Sequence, residues 1–91
     1  MEGPTFAEIE AALATVQKTL DRLTALGHDQ AAFDLARSQF AASIRSSWPG
    51  NLATLVGSLA KVADDATLRL SDAERANLRG AIETLRNVRH P

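Results

Sequence analysis

The stretch TFAEIEAALATVQKTLDRLTALGHD, residues 5 to 29, decides the fold. Thr5 and Glu8 form a capping box at its start. The threonine hydroxyl takes the amide of Glu8, and the glutamate carboxylate reaches back to the amide of Thr5. Apolar residues then recur at Phe6, Ile9, Leu13, Val16, Leu20 and Leu23, with spacings of three, four, three, four and three. That spacing puts them on one stripe of an α-helix, as in a bundle core or a coiled-coil seam. Gly27 supplies the stop, because glycine enters the left-handed backbone region without a side-chain clash. The first helix therefore covers about 5–26, and a second begins at His28 or Asp29.

Working outward, the second helix covers about 29–46, with Phe33, Ala36, Phe40 and Ile44 as its core candidates. Ala32, Ala41 and Ala42 are small enough for a neighbouring helix to approach closely, and Asp34 and Arg37 are spaced to pair along the helix. Pro49 suits the first turn of a helix and pushes Trp48 out of helical geometry. A third helix over about 49–66 follows, lined by Leu52, Leu55, Val56, Leu59, Val62 and Ala63. Asp64 and Asp65 sit where the helix dipole disfavours negative charge, which marks its last turn. The fourth helix, about 71–89, opens on a second capping box, Ser71 and Glu74, and buries Leu78, Ala81, Ile82, Leu85 and Val88. Four helices with short connections favour antiparallel neighbours. The expected fold is all-α, a compact antiparallel four-helix bundle, with residues 1–91 as a single domain.

Composition narrows the functions available. Ten Lys or Arg face eleven Asp or Glu, so charge balance gives no general attraction to nucleic acid or to an anionic membrane. There is no cysteine, which removes disulfides and thiolate chemistry. No apolar run reaches the length of a membrane span, and MEGPTFAEIE lacks the basic start and apolar core of a signal peptide. A cytoplasmic location without membrane attachment is expected.

Candidate chemistry is sparse. His28 and His90 are far apart in the chain and have no second His or Cys at metal-ligand spacing. Glu8 and Glu10 diverge on a helix, and Asp64 and Asp65 are adjacent; neither pair makes the Glu-x-x-His of a di-iron bundle. Ser38, Ser43, Ser46 and Ser47 cluster late in the second helix, with exposure expected for Ser38 and Ser46, but no base lies near them in sequence. No catalytic residue, metal ligand or cofactor is assigned.

The fourth helix carries the main polar feature. Arg75, Arg79 and Arg86 fall within a stripe of about 40° on a helical projection, with Glu83 and His90 beside it. Such a stripe suits phosphates or an acidic protein surface. Asp72 and Glu74 in the first turn and Glu83 next to the stripe weaken the phosphate reading, and Arg79 and Glu83 are spaced to pair. The three arginines are expected to be largely exposed.

Trp48 is the only tryptophan, and its bland role is to cover the end of the core beside Phe40 or Ile44. Its alternative role is an exposed anchor for a partner. The Trp48-Pro49-Gly50 turn near the middle of the chain resembles the Trp-x-Gly turn of the WXG100 family of small secreted helical proteins. That resemblance implies two long antiparallel helices, dimerisation and export by a specialised secretion system. Only Trp48 and Gly50 carry it. Gly27-His28-Asp29 interrupts the first long helix, the Ser71 cap starts a new helix inside the second, and no Tyr is present for the family's C-terminal export signal. The family assignment is not adopted.

The sequence thus points to a small helical protein-interaction or adaptor module without catalytic activity, self-associating as a homodimer. Trp48, Arg75, Arg79 and Arg86 are its partner-binding candidates. The alternatives are a nucleic-acid-binding regulator using the Arg75, Arg79 and Arg86 face, and a secreted protein of the WXG100 type.

Overall fold

A computed structural model describes residues 3–43 and 52–88. Four helices follow in order: α1 (Phe6–Ala25), α2 (Asp29–Ser43), α3 (Leu52–Asp64) and α4 (Asp72–Arg86). Each lies against two neighbours in a ring, α1 with α2 and α4, and α3 with α2 and α4. The result is the expected antiparallel four-helix bundle. It departs from the two-helix hairpin implied by the Trp-x-Gly resemblance, because α1 stops at Ala25 and α4 starts afresh after Ser71. Trp48, Ile44, Ser46, Ser47, Pro49 and His90 lie outside the described residues.

Local chemistry explains the helix ends. Thr5 accepts the Glu8 amide at 3.2 Å, and the Glu8 carboxylate accepts the Thr5 amide at 3.1 Å. Ser71 and Glu74 repeat the exchange at 3.1 and 3.0 Å. Two otherwise orphaned amides are satisfied at each start. At the end of α1, Gly27 adopts φ 81°, while the His28 amide bonds to the carbonyl of Leu23 and the Gly27 amide to that of Thr24. This is a Schellman closure, and it turns the chain directly into α2.

The core is built from aliphatic side chains. Leu23, Leu35, Leu55, Leu59, Leu78, Leu85 and Val16 are its largest fully buried members. On α3 and α4 the expected faces are the buried ones, with Val56 and Val88 half-buried at the margins. On α1 the buried arc is Ala12, Val16, Thr19 and Leu23, whereas Ile9, Leu13 and Leu20 pack half-buried on its flank. The arc is rotated by about 50° from the apolar stripe. A helix at a corner of the ring buries the surface between its two neighbours, and small Ala12 and Thr19 let one of them come close. Thr19 satisfies its hydroxyl on the carbonyl of Thr15 at 2.9 Å. Phe6, farthest from the arc, is 77% exposed.

The larger correction is on α2. Ala32, Leu35 and Ser38 are buried there, Ala36 is half-buried, and Phe33 and Phe40 are exposed. The helix carries two stripes at helical spacing, one aromatic and one alanine-rich. The bundle takes the alanine-rich one because small residues allow α1 and α3 to approach together. Ser38, expected at the surface, is instead buried and hydrogen-bonded to Ser58 of α3.

The segment between α3 and α4 also packs inward. Leu68 and Leu70 are buried and the intervening Arg69 is exposed. This alternation lets a short extended segment cover the end of the core.

Candidate interaction surface

Arg75 and Arg79 of α4 lie at the end of the bundle where α1 meets α2 and α3 meets α4, whereas Arg86, the last residue of α4, lies toward the opposite end, about 16 Å along the helix from Arg75. Arg75 is half-buried, which corrects its expected exposure. Its guanidinium donates to the carbonyls of Ala63 at 2.8 Å, Asp65 at 2.9 Å and Leu68 at 2.7 Å. Arg79 is exposed; it pairs with Asp64 at 3.1 Å and donates weakly to Ala63 at 3.3 Å. These contacts answer the unpaired carbonyls and the adverse carboxylate at the C-terminus of α3. The expected Arg79 to Glu83 pair is replaced: Glu83 lies instead 3.9 Å from Arg86.

Neighbouring groups extend this stitching. Arg22 of α1 pairs with Glu74 of α4 at 3.1 Å. Arg69 donates its guanidinium to the carbonyl of Leu26 at 2.6 Å and its amide to Nε2 of His28 at 3.1 Å. His28 is thus a hydrogen-bond acceptor tying the two corners together. The Ser71 amide, with help from Arg22, holds the Glu74 carboxyl below its usual range, against a smaller opposing effect of burial. Hydrogen bonds from the Thr67 hydroxyl and amide do the same for Asp65. Among the described residues, no group of three or more His, Cys, Asp or Glu has the arrangement of a metal site.

An open cleft of about 960 Å³ runs between α2 and α3. Ser38 and Ser58 lie in its wall, and Asp29, Asp34, Arg37, Lys61 and Asp65 ring it with charges of both signs. The buried hydroxyls satisfy each other. Neither of the two hydroxyls is hydrogen-bonded to a base among the described residues.

The outward side of α2 is different in kind. Phe33, Arg37 and Phe40 lie within about 60° of one another and diametrically opposite Leu35. Phe33 is 58% exposed and Phe40 71%. The Arg37 guanidinium lies over the Phe33 ring, 5.8 Å from its centroid. Asp34, expected to pair with Arg37, accepts the Gln30 side-chain amide at 3.0 Å instead. With Phe6 also exposed, every phenylalanine of the chain is at the surface. The signal for this lay in the spacing of Ala31, Ala32, Leu35 and Ser38, which competes with the aromatic stripe and was outweighed by side-chain size.

Trp48, the remaining partner-binding candidate, is outside the described residues, so of the four the structure brings together only Arg75 and Arg79, which share the Ala63 carbonyl. No helix among the described residues is long and apolar enough to cross a membrane. No protein-family model, no curated protein and no solved structure matches the chain.

Proposed function

We propose that this chain is a small cytoplasmic protein-interaction module without catalytic activity, and that it docks through the outer face of α2. The observation that supports this is the inversion of aromatic placement. Among the described residues the core is aliphatic, while Phe33 and Phe40 flank Arg37 at the surface. Phenylalanine belongs to the residue types most often buried. Aromatic residues and arginine are also the types enriched at protein interfaces, and an aromatic ring that loses water against a partner contributes strongly to affinity. The bundle's role is then to hold a rigid helix in place.

The nucleic-acid alternative draws less support. Arg75 spends its guanidinium on three carbonyls, and Arg79 and Arg86 have carboxylates beside them. Few cations remain to release counterions from phosphates.

A photo-crosslinking amino acid placed at position 33, and separately at exposed Ala76 on α4, tests the reading in living cells. Protein adducts at position 33 and none at 76 are expected. The absence of adducts at 33 would overturn it.

A further inference from the structure

We infer that His28 is a pH-responsive latch on the segment joining α3 to α4: its imidazole holds the Arg69 amide when neutral, and releases it for the Asp65 carboxylate when protonated. The latch does not depend on what the α2 face binds. The Arg69 amide donates to Nε2 of His28 at 3.1 Å. An imidazole nitrogen that accepts a hydrogen bond carries no proton, so the neutral ring has its hydrogen on Nδ1. The next proton has one place to go, the same Nε2 lone pair. Proton and amide therefore compete for a single site, and the protonated ring sets N–H against N–H. Imidazole is the side chain whose ordinary charge change falls between about pH 5 and 8.

The bond holds a segment that matters to packing. Arg69 lies between Leu68 and Leu70, the two buried leucines that cover the end of the core. From the α4 side, Arg75 takes the carbonyls of Asp65 and Leu68 at 2.9 and 2.7 Å. From the α1–α2 corner, Leu26 accepts the Arg69 guanidinium at 2.6 Å and His28 accepts its amide. Protonation of His28 removes one of these ties and adds a positive charge at the corner where the Arg69 guanidinium is already bound.

The charges around His28 decide where the imidazolium turns. Asp29 adjoins it in α2, Arg22 lies in the last turn of α1, Asp65 follows α3, and Glu74 and Arg75 lie in the first turns of α4. Asp34 and Lys61 line the same cleft as His28. Arg22 and Glu74 are paired with each other, and Arg69 and Arg75 are bonded to carbonyls. Asp65 is the carboxylate that responds to His28. Thr67 holds its carboxyl below the usual range through hydroxyl and amide bonds, burial opposes them, and Arg75 and then His28 add smaller downward pulls. Both Thr67 bonds fall on Oδ1, at 2.6 and 2.9 Å, which leaves Oδ2 to accept from an imidazolium. The charged ring thus exchanges the Arg69 amide for Asp65, and the segment loosens at Arg69 while the four helices stay folded.

Amide hydrogen exchange of the full chain, read by NMR and corrected for the intrinsic chemical rate, tests this at about pH 7.5 and about pH 5.5. In the wild type, protection of the Arg69 amide should fall about fivefold between the two, the loss of one hydrogen bond. His28→Gln offers a side-chain carbonyl that does not titrate, and its Arg69 protection should stay within about twofold over the same range. In Asp65→Asn the His28 ring protons should titrate to a lower midpoint than in the wild type, because the imidazolium has lost its carboxylate. His90, the second histidine, is present in every variant, so an effect that originates there would survive in His28→Gln. Arg69 protection that does not change with pH in the wild type overturns the inference. So does a fall of equal size in His28→Gln, or a His28 midpoint that does not move in Asp65→Asn. Should His28→Gln fail to fold, the wild-type exchange and the Asp65→Asn midpoint decide.

Discussion

Phe33 and Leu35 are two residues apart on α2 and face opposite ways: the phenylalanine is 58% exposed and the leucine has no accessible surface. The relationship fixes which side of the helix belongs to the bundle. It also separates the residues that fold the chain from those available to a partner. On side-chain size alone the aromatic stripe would have been buried, so its exposure is the feature a folding role does not explain.

Leu35→Ala is expected to lower stability by about 2 to 5 kcal/mol, the range for truncating a fully buried leucine. Leu20, half-buried on the flank of α1, should lose less on the same change, about 1 to 2 kcal/mol. Urea unfolding of the two variants side by side checks the order, and a Leu20→Ala loss equal to that of Leu35→Ala would contradict the rotated arc on α1.

Arg75→Ala removes three hydrogen bonds to backbone carbonyls at the α3 end. Loss of about 1 to 3 kcal/mol is expected, since partly buried acceptors are left without a partner. Thermal unfolding measures it. The same arginine should contribute nothing to nucleic-acid affinity. Fluorescence anisotropy with duplex and single-stranded probes at about 0.15 M salt should show no binding below 1 μM for wild type or variant. Tight binding that rises sharply in dissociation constant without Arg75, Arg79 and Arg86 would reinstate the nucleic-acid reading.

Acid sensitivity follows from the depressed carboxyls. Between the lowered folded value of Glu74 and its ordinary value of 4.5, the unfolded chain binds more protons than the folded one. The stabilisation is complete above the ordinary value and is lost as pH falls through the lowered one. Ser71→Ala should cost about 1 kcal/mol near neutrality through loss of the cap. Glu74→Gln, which removes the titrating carboxyl, should flatten the decline of the melting temperature below about pH 4.5. An acid limb unchanged in Glu74→Gln would show that Glu74 is not a source of it.

His28→Ala deletes the acceptor for the Arg69 amide, whose bond links residues 41 apart in the chain. Hydrogen exchange at the Arg69 amide should accelerate about fivefold, in line with a net contribution near 1 kcal/mol. Unchanged exchange would mean that the corner is held without His28.

Much of the fold was legible in the sequence because its signals are local. Thr5 with Glu8, Ser71 with Glu74 and Gly27 mark helix ends through contacts that span three to five residues. The faces of α3 and α4 were readable because each carries a single apolar stripe. On α2 the decision between two stripes depends on how closely α1 and α3 can approach, which no local pattern records. The inward packing of Leu68 and Leu70 and the hydrogen bond between His28 and Arg69 are likewise long-range. The arginine stripe was visible, but its commitment to α3 carbonyls required knowing where α3 ends.

The most direct measurement is the unfolding free energy of Phe33→Ser, taken from urea titration at a concentration low enough that the wild type is monomeric. A value within about 0.5 kcal/mol of wild type is expected, because an exposed ring away from the core contributes little to folding beyond its contact with Arg37. A loss above about 2 kcal/mol would place Phe33 in the folding core and contradict the assignment of the α2 face to a partner.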